Sequence, residues 1–555
     1  MGHMFIMSLI FAIASVLLIV PLNRKLSQLK GKWIFIALVF SIALLTGFSA
    51  LYISKIDIQW TIGLYVLPVI SLAGAIIATG LEQKIKSFIV FLSILAVVYL
   101  VSAPLFNAKE KYESAKMDEA VEIEPFEETE TPASVPPKFA KNKMKKAFSQ
   151  VPNTSYYELG NLQIQKVEGE YVYIAPVEFS GVFKWFQGKT TPGYFKLSAT
   201  DSTANPQFIK EEMKYIPSAY LNQNLDRYMR MQYPTIVFYG DPQLEINDEG
   251  KPFYIRSYGE FISARNGFDV KGIVMVDAAT GHTEKLAIKD VPSFIDGAVS
   301  PEAVSLQNSY YGNYIHGYWN SLLSKKDVKL PSDEGTEVNV SPVFDENGEM
   351  YYFTDFTSPK EGVDSMLGYA LTNARTGKAT YYTGNVEEAY MDSKGVLEII
   401  EKKFIEKKWE GDMPLLYNFY GEASWLTPVL DSNGFLQNYF IVSAANQEIS
   451  VYASTPNEAL KLYKTALSKG TGELDAVGDA EEAQISGHVA RVFKEKSDNS
   501  TIVYFLLESG ENFIISTDVN PLAIYLEAGD SVQLTYLQTD EQFLPVKSIT
   551  IEGVN

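Results

Sequence analysis

The sequence contains no cysteine among its 555 residues. That removes disulfides, thiolate metal sites and cysteine nucleophiles together, and it fits an exported protein from an organism that avoids extracytoplasmic thiols. Histidine is nearly as scarce, with four in all. His3 lies in Met1-Gly2-His3-Met4, which reads as a cloning remnant, and is set aside. The other three, His282, His316 and His488, stand in no HExxH arrangement or other metal-ligand spacing. No GxSxG elbow, P-loop or serine–lysine signature occurs. Basic residues are outnumbered, 47 Lys and Arg against 67 Asp and Glu, for a net charge of −20. Such a chain repels nucleic acid and anionic lipid, so any basic partner surface has to be local. The hydrophobic share of 46% excludes wholesale disorder,, and the length predicts several domains.

What is present first is apolar. Four stretches, roughly residues 5–22, 33–53, 61–79 and 88–106, each reach the ~18 residues needed to cross about 30 Å of hydrocarbon. A cleaved signal peptide accounts for one such stretch but not for four. The loop after the first carries Arg24, Lys25, Lys30 and Lys32, and the loop after the third carries Lys84 and Lys86. The loop between the second and third has only Lys55, balanced by Asp57. By the positive-inside rule the basic loops are cytoplasmic. The expected location is therefore the plasma membrane, with both termini and everything after Phe106 extracytoplasmic. The spans lack ionisable residues, which argues for an anchor or a helix-packing partner rather than a pump. A passive pore and homo-oligomerisation through the spans are left open.

Residues 107–137 change character. Asp118, Glu119, Glu122, Glu124, Glu127, Glu128 and Glu130 lie among Pro125, Pro132, Pro136 and Pro137, a composition that reads as a solvated, self-repelling spacer. Beyond it the chain repeats. "LQIQKVEGEYVYI" (162–174), "LEINDEGKPFYI" (244–255), "PVFDENGEMYYF" (342–353) and "PVLDSNGFLQNYF" (428–440) each show alternation, a Gly-containing turn and renewed alternation, the signature of a hairpin. A third strand follows in each: "GYFKLSATD", "GIVMVDAATG", "GYALTNARTG" and "YFIVSAANQ". On this reading Thr280-Gly281 serves a turn, and His282 is an exposed turn residue.

Helix starts fall between these segments, at Asn205-Pro206, Ser300-Pro301, Asn385 with Glu388, and Thr455-Pro456 with Glu458. In the second of these helices Val304, Tyr311, Ile315, Tyr318 and Leu322 share one face. A short basic helix over 138–149 precedes the first hairpin. The expected organisation is a four-span domain (1–106), a linker (107–137), and four units of one helix plus a three-stranded antiparallel sheet (138–204, 205–299, 300–384 and 385–454). A helix with a second acidic linker (455–481) then leads to a five-stranded, OB-like β-barrel (482–555). The fold class is thus multi-domain: transmembrane helices, α+β repeats and a small barrel.

Tandem helix-plus-three-strand units whose third strand runs into "VDAATGHTEKL" and "TNARTGKATYY" resemble PepSY modules. The resemblance covers 138–470 as architecture and the second and third units as motif. It carries over no catalytic residues, and it implies binding or restraint of envelope peptidases and attachment to membrane systems.

The barrel segment is acidic. Arg491, Lys494, Lys496 and Lys547 face twelve carboxylates, among them Glu481, Glu508, Asp530 and Glu552. A nucleic-acid partner is therefore excluded in favour of a protein- or glycan-facing module. Asp345-Glu-Asn-Gly and Asp431-Ser-Asn-Gly lack the ligand ladder of a calcium loop, and no metal or cofactor is expected. The densest local cluster is "SYYGNYIHGYWNSLL" (309–323). There Tyr310, Tyr314, His316 and Asn320 are the candidate binding residues for a sugar or peptide, against a reading in which the aromatics are core. The functional expectation is a non-enzymatic scaffold that binds an envelope or membrane protein such as a peptidase or wall enzyme. A carboxylate-dependent envelope hydrolase and a wall- or glycan-binding scaffold are the alternatives.

Overall fold

The computed structural model describes every residue except 22–30, 55, 122–134, 346, 361–364, 385–388, 471–481, 497–500, 518–519, 538–542 and 554–555. It begins with four helices, α1 (Gly2–Ile19), α2 (Lys32–Ile53), α3 (Gly63–Ile77) and α4 (Leu81–Phe106). All four helical stretches, the third counted from Trp60, are long and apolar enough to span a membrane. Small residues let them approach closely: a Cβ on Gly74 of α3 would sit 1.8 Å from the Leu18 carbonyl oxygen of α1. The hydroxyls of Ser8, Ser15 and Ser71 donate to carbonyls one turn back in their own helices.

The segment expected to be a loose spacer is ordered at its start. Helix α5 (Ala108–Ser114) follows α4 directly, and β1 (Asp118–Ala120) adds a parallel edge to the third sheet. The acidic composition pointed to solvation, but Ala115 and Met117 are buried against Tyr311, Phe356 and Tyr381, and that apolar contact decides the outcome. Helix α6 (Pro137–Lys146) then starts on a proline at its first position,.

Four antiparallel sheets share one plan. The first holds β2 (Tyr157–Leu159), β3 (Gln163–Val167), β4 (Glu170–Phe179), β5 (Tyr194–Ser198) and β6 (Gln207–Ile209), with α7 (Val182–Gly188) between β4 and β5. Helix α8 (Leu225–Gln232) precedes the second: β7 (Val237–Phe238), β8 (Gln243–Ile246), β9 (Pro252–Glu260), β10 (Asp269–Asp277) and β11 (Thr283–Ala287). After α9 (Pro301–Asn313) the third comprises β12 (Leu330–Pro331), β13 (Ser341–Phe344), β14 (Met350–Thr357), β15 (Met366–Asn373) and β16 (Ala379–Tyr382). Helix α10 (Ser393–Lys403) leads to β17 (Glu410–Gly411), β18 (Leu415–Phe419), β19 (Glu422–Leu430), β20 (Leu436–Ser443) and β21 (Ser450–Ala453). In each sheet one long strand is flanked on one side by two short strands and on the other by two meander strands. The units are thus larger than the expected three strands: each gains one strand before its hairpin (β2, β7, β12, β17) and one after its third strand (β6, β11, β16, β21), all two to five residues long.

Turn chemistry repeats as well. Asp277 Oδ1 accepts from the Ala279 and Thr280 amides, and Gly281, at φ +78°, donates back to the Asp277 carbonyl. Asn373, Arg375, Thr376 and Gly377 make the same turn in the third sheet. Thr280-Gly281 is therefore turn chemistry, and His282 stands exposed beside Glu284.

Two expected helix starts move. Asn205-Pro206 opens no helix: Gln207–Ile209 pairs with β5 as an edge strand, because the apolar positions after it lack helical spacing. The helix comes later, where Asn224 caps α8. Asn385 and Glu388 lie outside the described residues, and α10 starts at Ser393, with Asp392 Oδ1 accepting from the Gly395 amide. Ser300 caps α9 and Thr455 caps α11 (Pro456–Gly470) as their motifs predict.

The chain falls into two compact units. One holds the four apolar helices and the first three sheets, with residues 430–436. Within it Val172, Ile174, Leu244, Tyr254 and Val274 join the first and second sheets, and Tyr173, Phe195, Val304 and Tyr352 join the first and third. The other unit holds 400–429 and 437–555. In it β22 (Glu482–Lys496), β23 (Thr501–Leu507), β24 (Asn512–Ser516), β25 (Ser531–Leu537) and β26 (Leu544–Ile551) pair in the ring order β22-β23-β24-β26-β25, with β22 closing onto β25. Phe505, Phe513, Ile515 and Leu534 fill its interior.

Candidate functional site

The apolar helices and the sheets meet at a strained turn. Between β9 and β10, Ser263 and Asn266 exchange backbone hydrogen bonds of 3.1 and 2.7 Å, leaving Ala264 and Arg265 as a two-residue loop. Both have positive φ, 45° and 57°, a geometry normally given to Asn-Gly. Left-handed backbone is unfavourable for residues with a Cβ and persists where surroundings enforce it. Here the enforcing contact is Arg265 with Asp57 of the α2–α3 loop. Two guanidinium nitrogens donate to the two carboxylate oxygens at 2.7 and 3.0 Å, and one also donates to Thr61 Oγ1 at 2.9 Å. The pair is buried, with side chains 8% and 4% exposed, and the guanidinium stacks on Phe261. A planar fork matched to a carboxylate is the geometry in which a buried pair holds best.

A second set of contacts caps α2. The last carbonyls of a helix lack partners of their own, and α8 supplies them. Arg227 Nε and Arg230 Nη2 both donate to the Tyr52 carbonyl, at 3.0 and 3.2 Å, and Arg230 Nη1 donates to Ser54 Oγ. Cations at a helix C-terminus also favour its dipole. Burial lowers the Arg230 pKa to about 10, which leaves it charged at neutral pH. The Ile58 amide donates to the Pro234 carbonyl at 2.6 Å, and Gln59 Nε2 to the Thr235 carbonyl at 2.9 Å. At the end of α4, Asn107 donates to Asn266 of the strained turn.

Beside this junction lies a cleft of about 290 Å³, lined by Lys141, Asn161, Gln163, Glu178, Ser218 and Tyr254 among others. Glu158 and Glu178 stand directly opposite each other where β2 pairs with β4. Glu178 accepts from the Ser218 amide and hydroxyl and from the Tyr254 hydroxyl. Desolvation still dominates and pushes its pKa up to about 7, with the Glu158 charge adding to the rise. It is a carboxyl poised to exchange a proton near neutrality. The two carboxylates are far apart in spacing logic, and only strand pairing brings them together.

The four residues singled out in 309–323 do not converge. Tyr310 is buried, stacks with Tyr314 at 6.1 Å, and both rings lie under Lys111 of α5. Tyr311 stacks on Tyr112 of α5 at 5.9 Å and packs against Phe356 and Tyr381. The tyrosines thus hold α5 against the third sheet. The expected long helical face stops early: α9 ends at Asn313, Gly317 turns the chain at φ +80°, and Leu322 is exposed. Gly312 must lack a side chain, since a Cβ would lie 2.1 Å from the Lys329 carbonyl oxygen. His316 pairs with Asp327 at 2.8 Å on the surface, and Asn320 ties the 320–326 loop through Lys326 and Ser324. Among the described residues no group of His, Asp and Glu is placed to hold a metal.

No family model matches the chain, and no curated protein matches it. Among solved structures, a glycoside hydrolase is 10% identical, with 68% of this chain and 94% of that one covered, at a TM-score of 0.18. A putative glycoside hydrolase from Parabacteroides distasonis is 11% identical over 65% and 87%, at 0.19. Trypanosoma rangeli sialidase in complex with the inhibitor DANA is 10% identical over 71% and 55%, at 0.16. At these TM-scores the likenesses carry no argument about fold or activity.

Proposed function

We propose that the protein is a membrane-anchored, extracytoplasmic binding scaffold without catalysis of its own. Four spans mount a PepSY-like, repeat-built sheet domain, and that domain engages another envelope component, such as a peptidase or wall enzyme. The observation that carries this reading is the fixed mount itself. Arg265 on Asp57, the two arginines on the end of α2 and the aromatic seat of α5 hold the first sheets at a set position over the span ends. An enzyme acting on distant polymer gains from a flexible tether, whereas a module presenting a surface to a membrane neighbour gains from a fixed one. The basic loops around Arg24 and Lys84 support the outward orientation.

In-cell crosslinking with mass-spectrometric recovery tests the reading, with a chain lacking residues 138–470 as control. One dominant envelope protein, absent from the control, is the expected result. Recovery of wall polymer alone, or of nothing specific, overturns it.

The Glu158–Glu178 pair favours a second reading, a carboxylate-dependent hydrolase, since two facing carboxyls, one of them raised by burial, are the groups that acid–base cleavage uses,. Release of sugars or peptides from purified wall by the wild type, lost in Glu178→Gln, would establish it in place of the scaffold.

A further inference from the structure

A cavity of about 630 Å³ lies between α1, α2 and α3, with Phe11, Leu18, Gly47, Ala50, Trp60 and Leu67 in its wall. Its lining is almost wholly apolar. At Ser54 it adjoins a second recess, of about 270 Å³, whose lining mixes apolar residues with the polar side chains of Ser218, Asn224 and Arg227. The apolar part lies among the spans, where hydrocarbon is the solvent, and the polar part lies where the chain leaves them. Arg227 spends Nε on Tyr52 and Nη1 on Leu221, and among the described residues its Nη2 has no partner. The rim of the polar recess carries Tyr220, with Leu221 beside it half exposed. On α7, Phe183 and Phe186 are also exposed, 80% and 56%, and Trp185 of that helix packs on Tyr220. Aromatics at this level match the belt found where protein meets headgroups.

We propose that this paired recess binds one anionic glycerophospholipid, its acyl chain in the cavity between α1, α2 and α3 and its phosphate on Arg227. The chemistry is that of a long apolar chain ending in a phosphate. An apolar cavity this large is filled in a membrane, and a guanidinium at its mouth selects a negative headgroup. The site deepens the mount without depending on the scaffold reading, because a bound lipid would bridge α2 and the start of α8 whatever the sheets engage.

Native mass spectrometry of the full-length protein in mild detergent, with extraction of the bound lipid, provides the test. The wild type is expected to retain one anionic phospholipid per chain. Ala50→Trp fills the cavity and lowers retention about tenfold, and Arg227→Gln lowers the anionic share by a similar factor, about 1.4 kcal/mol. Protection of the Ile58 amide from exchange in both variants shows that the junction is still formed. Absence of bound lipid from the wild type overturns the proposal, as does undiminished retention in Ala50→Trp. A retained polyprenyl phosphate overturns the assignment to a glycerophospholipid, and a second copy of the chain, lost in Ala50→Trp, overturns the assignment to a lipid.

Discussion

Arg265 and Asp57 are 208 positions apart and form a buried, two-pronged ion pair, 2.7 and 3.0 Å long. One residue sits on a strained turn of the second sheet and the other on the loop joining α2 to α3. Removing either partner leaves the other charge buried and uncompensated, which costs about 3–5 kcal/mol. Arg265→Met and Asp57→Asn are therefore each expected to release the junction, read as faster amide exchange across residues 56–61. Replacing both with apolar residues of similar size should cost less than either single change.

Ala264 pays a backbone cost so that Arg265 can reach its partner. Ala264→Gly relieves the positive φ and should stabilise the turn by up to ~1 kcal/mol, net of the extra freedom it gives the unfolded chain. Ala264→Val should destabilise it. Both are read as the opening free energy of the β9–β10 hairpin by hydrogen exchange, since a chain of several units does not melt in one step.

Glu178 makes the first sheet sensitive to pH. Its folded pKa, about 7, lies above its ordinary value of 4.5. Between those values the unfolded chain has lost the proton and the folded chain keeps it. The stability it confers is thus full below pH 4.5 and is lost as pH rises through about 7, by up to ~3 kcal/mol. Glu337, about 7, and Asp355, about 6, slope the same way. The prediction therefore concerns the difference: Glu178→Gln removes its share of the decline and gains on the wild type as pH increases from 5 to 8.

Tyr311 is buried in an aromatic cluster with Tyr112, Phe356 and Tyr381. Tyr311→Ala should cost about 3–5 kcal/mol and expose residues 108–121 to protease. His316→Ala touches only an exposed pair and should change stability by less than ~0.5 kcal/mol. A strong loss of partner recovery in His316→Ala, with the fold intact, would restore the 309–323 platform as a binding site.

Local patterns in the sequence carry the four apolar helices, the hairpins and the caps at Ser300 and Thr455, because each depends on residues within a few positions. The Asp-x-x-Gly and Thr-Gly turns are legible for the same reason. The first and last strands of each sheet are not: β7, β6 and β21 are two, three and four residues long, too short for alternation to register. The ordered start of the supposed linker is hidden as well. Its charges announce solvation, while Ala115 and Met117 find apolar partners only in the third sheet. Asp57 reads as a charge balancing Lys55, and nothing in the sequence singles out Arg265. Their pairing is a property of the fold, as is the meeting of Glu158 with Glu178. Locally, Ser263-Ala-Arg-Asn-Gly offers an Asn-Gly turn, but the two-residue loop falls two positions earlier, on Ala264 and Arg265,.

The central claim is that the sheets are mounted rigidly on the span ends through Arg265 and Asp57. Hydrogen exchange at the Ile58 amide, which donates to the Pro234 carbonyl, tests it most directly in lipid nanodiscs. The wild type should be protected, Asp57→Arg and Arg265→Asp should each lose protection, and the two together should regain it. An Ile58 amide that exchanges at the free-peptide rate in the wild type, or that ignores all three substitutions, would contradict the account.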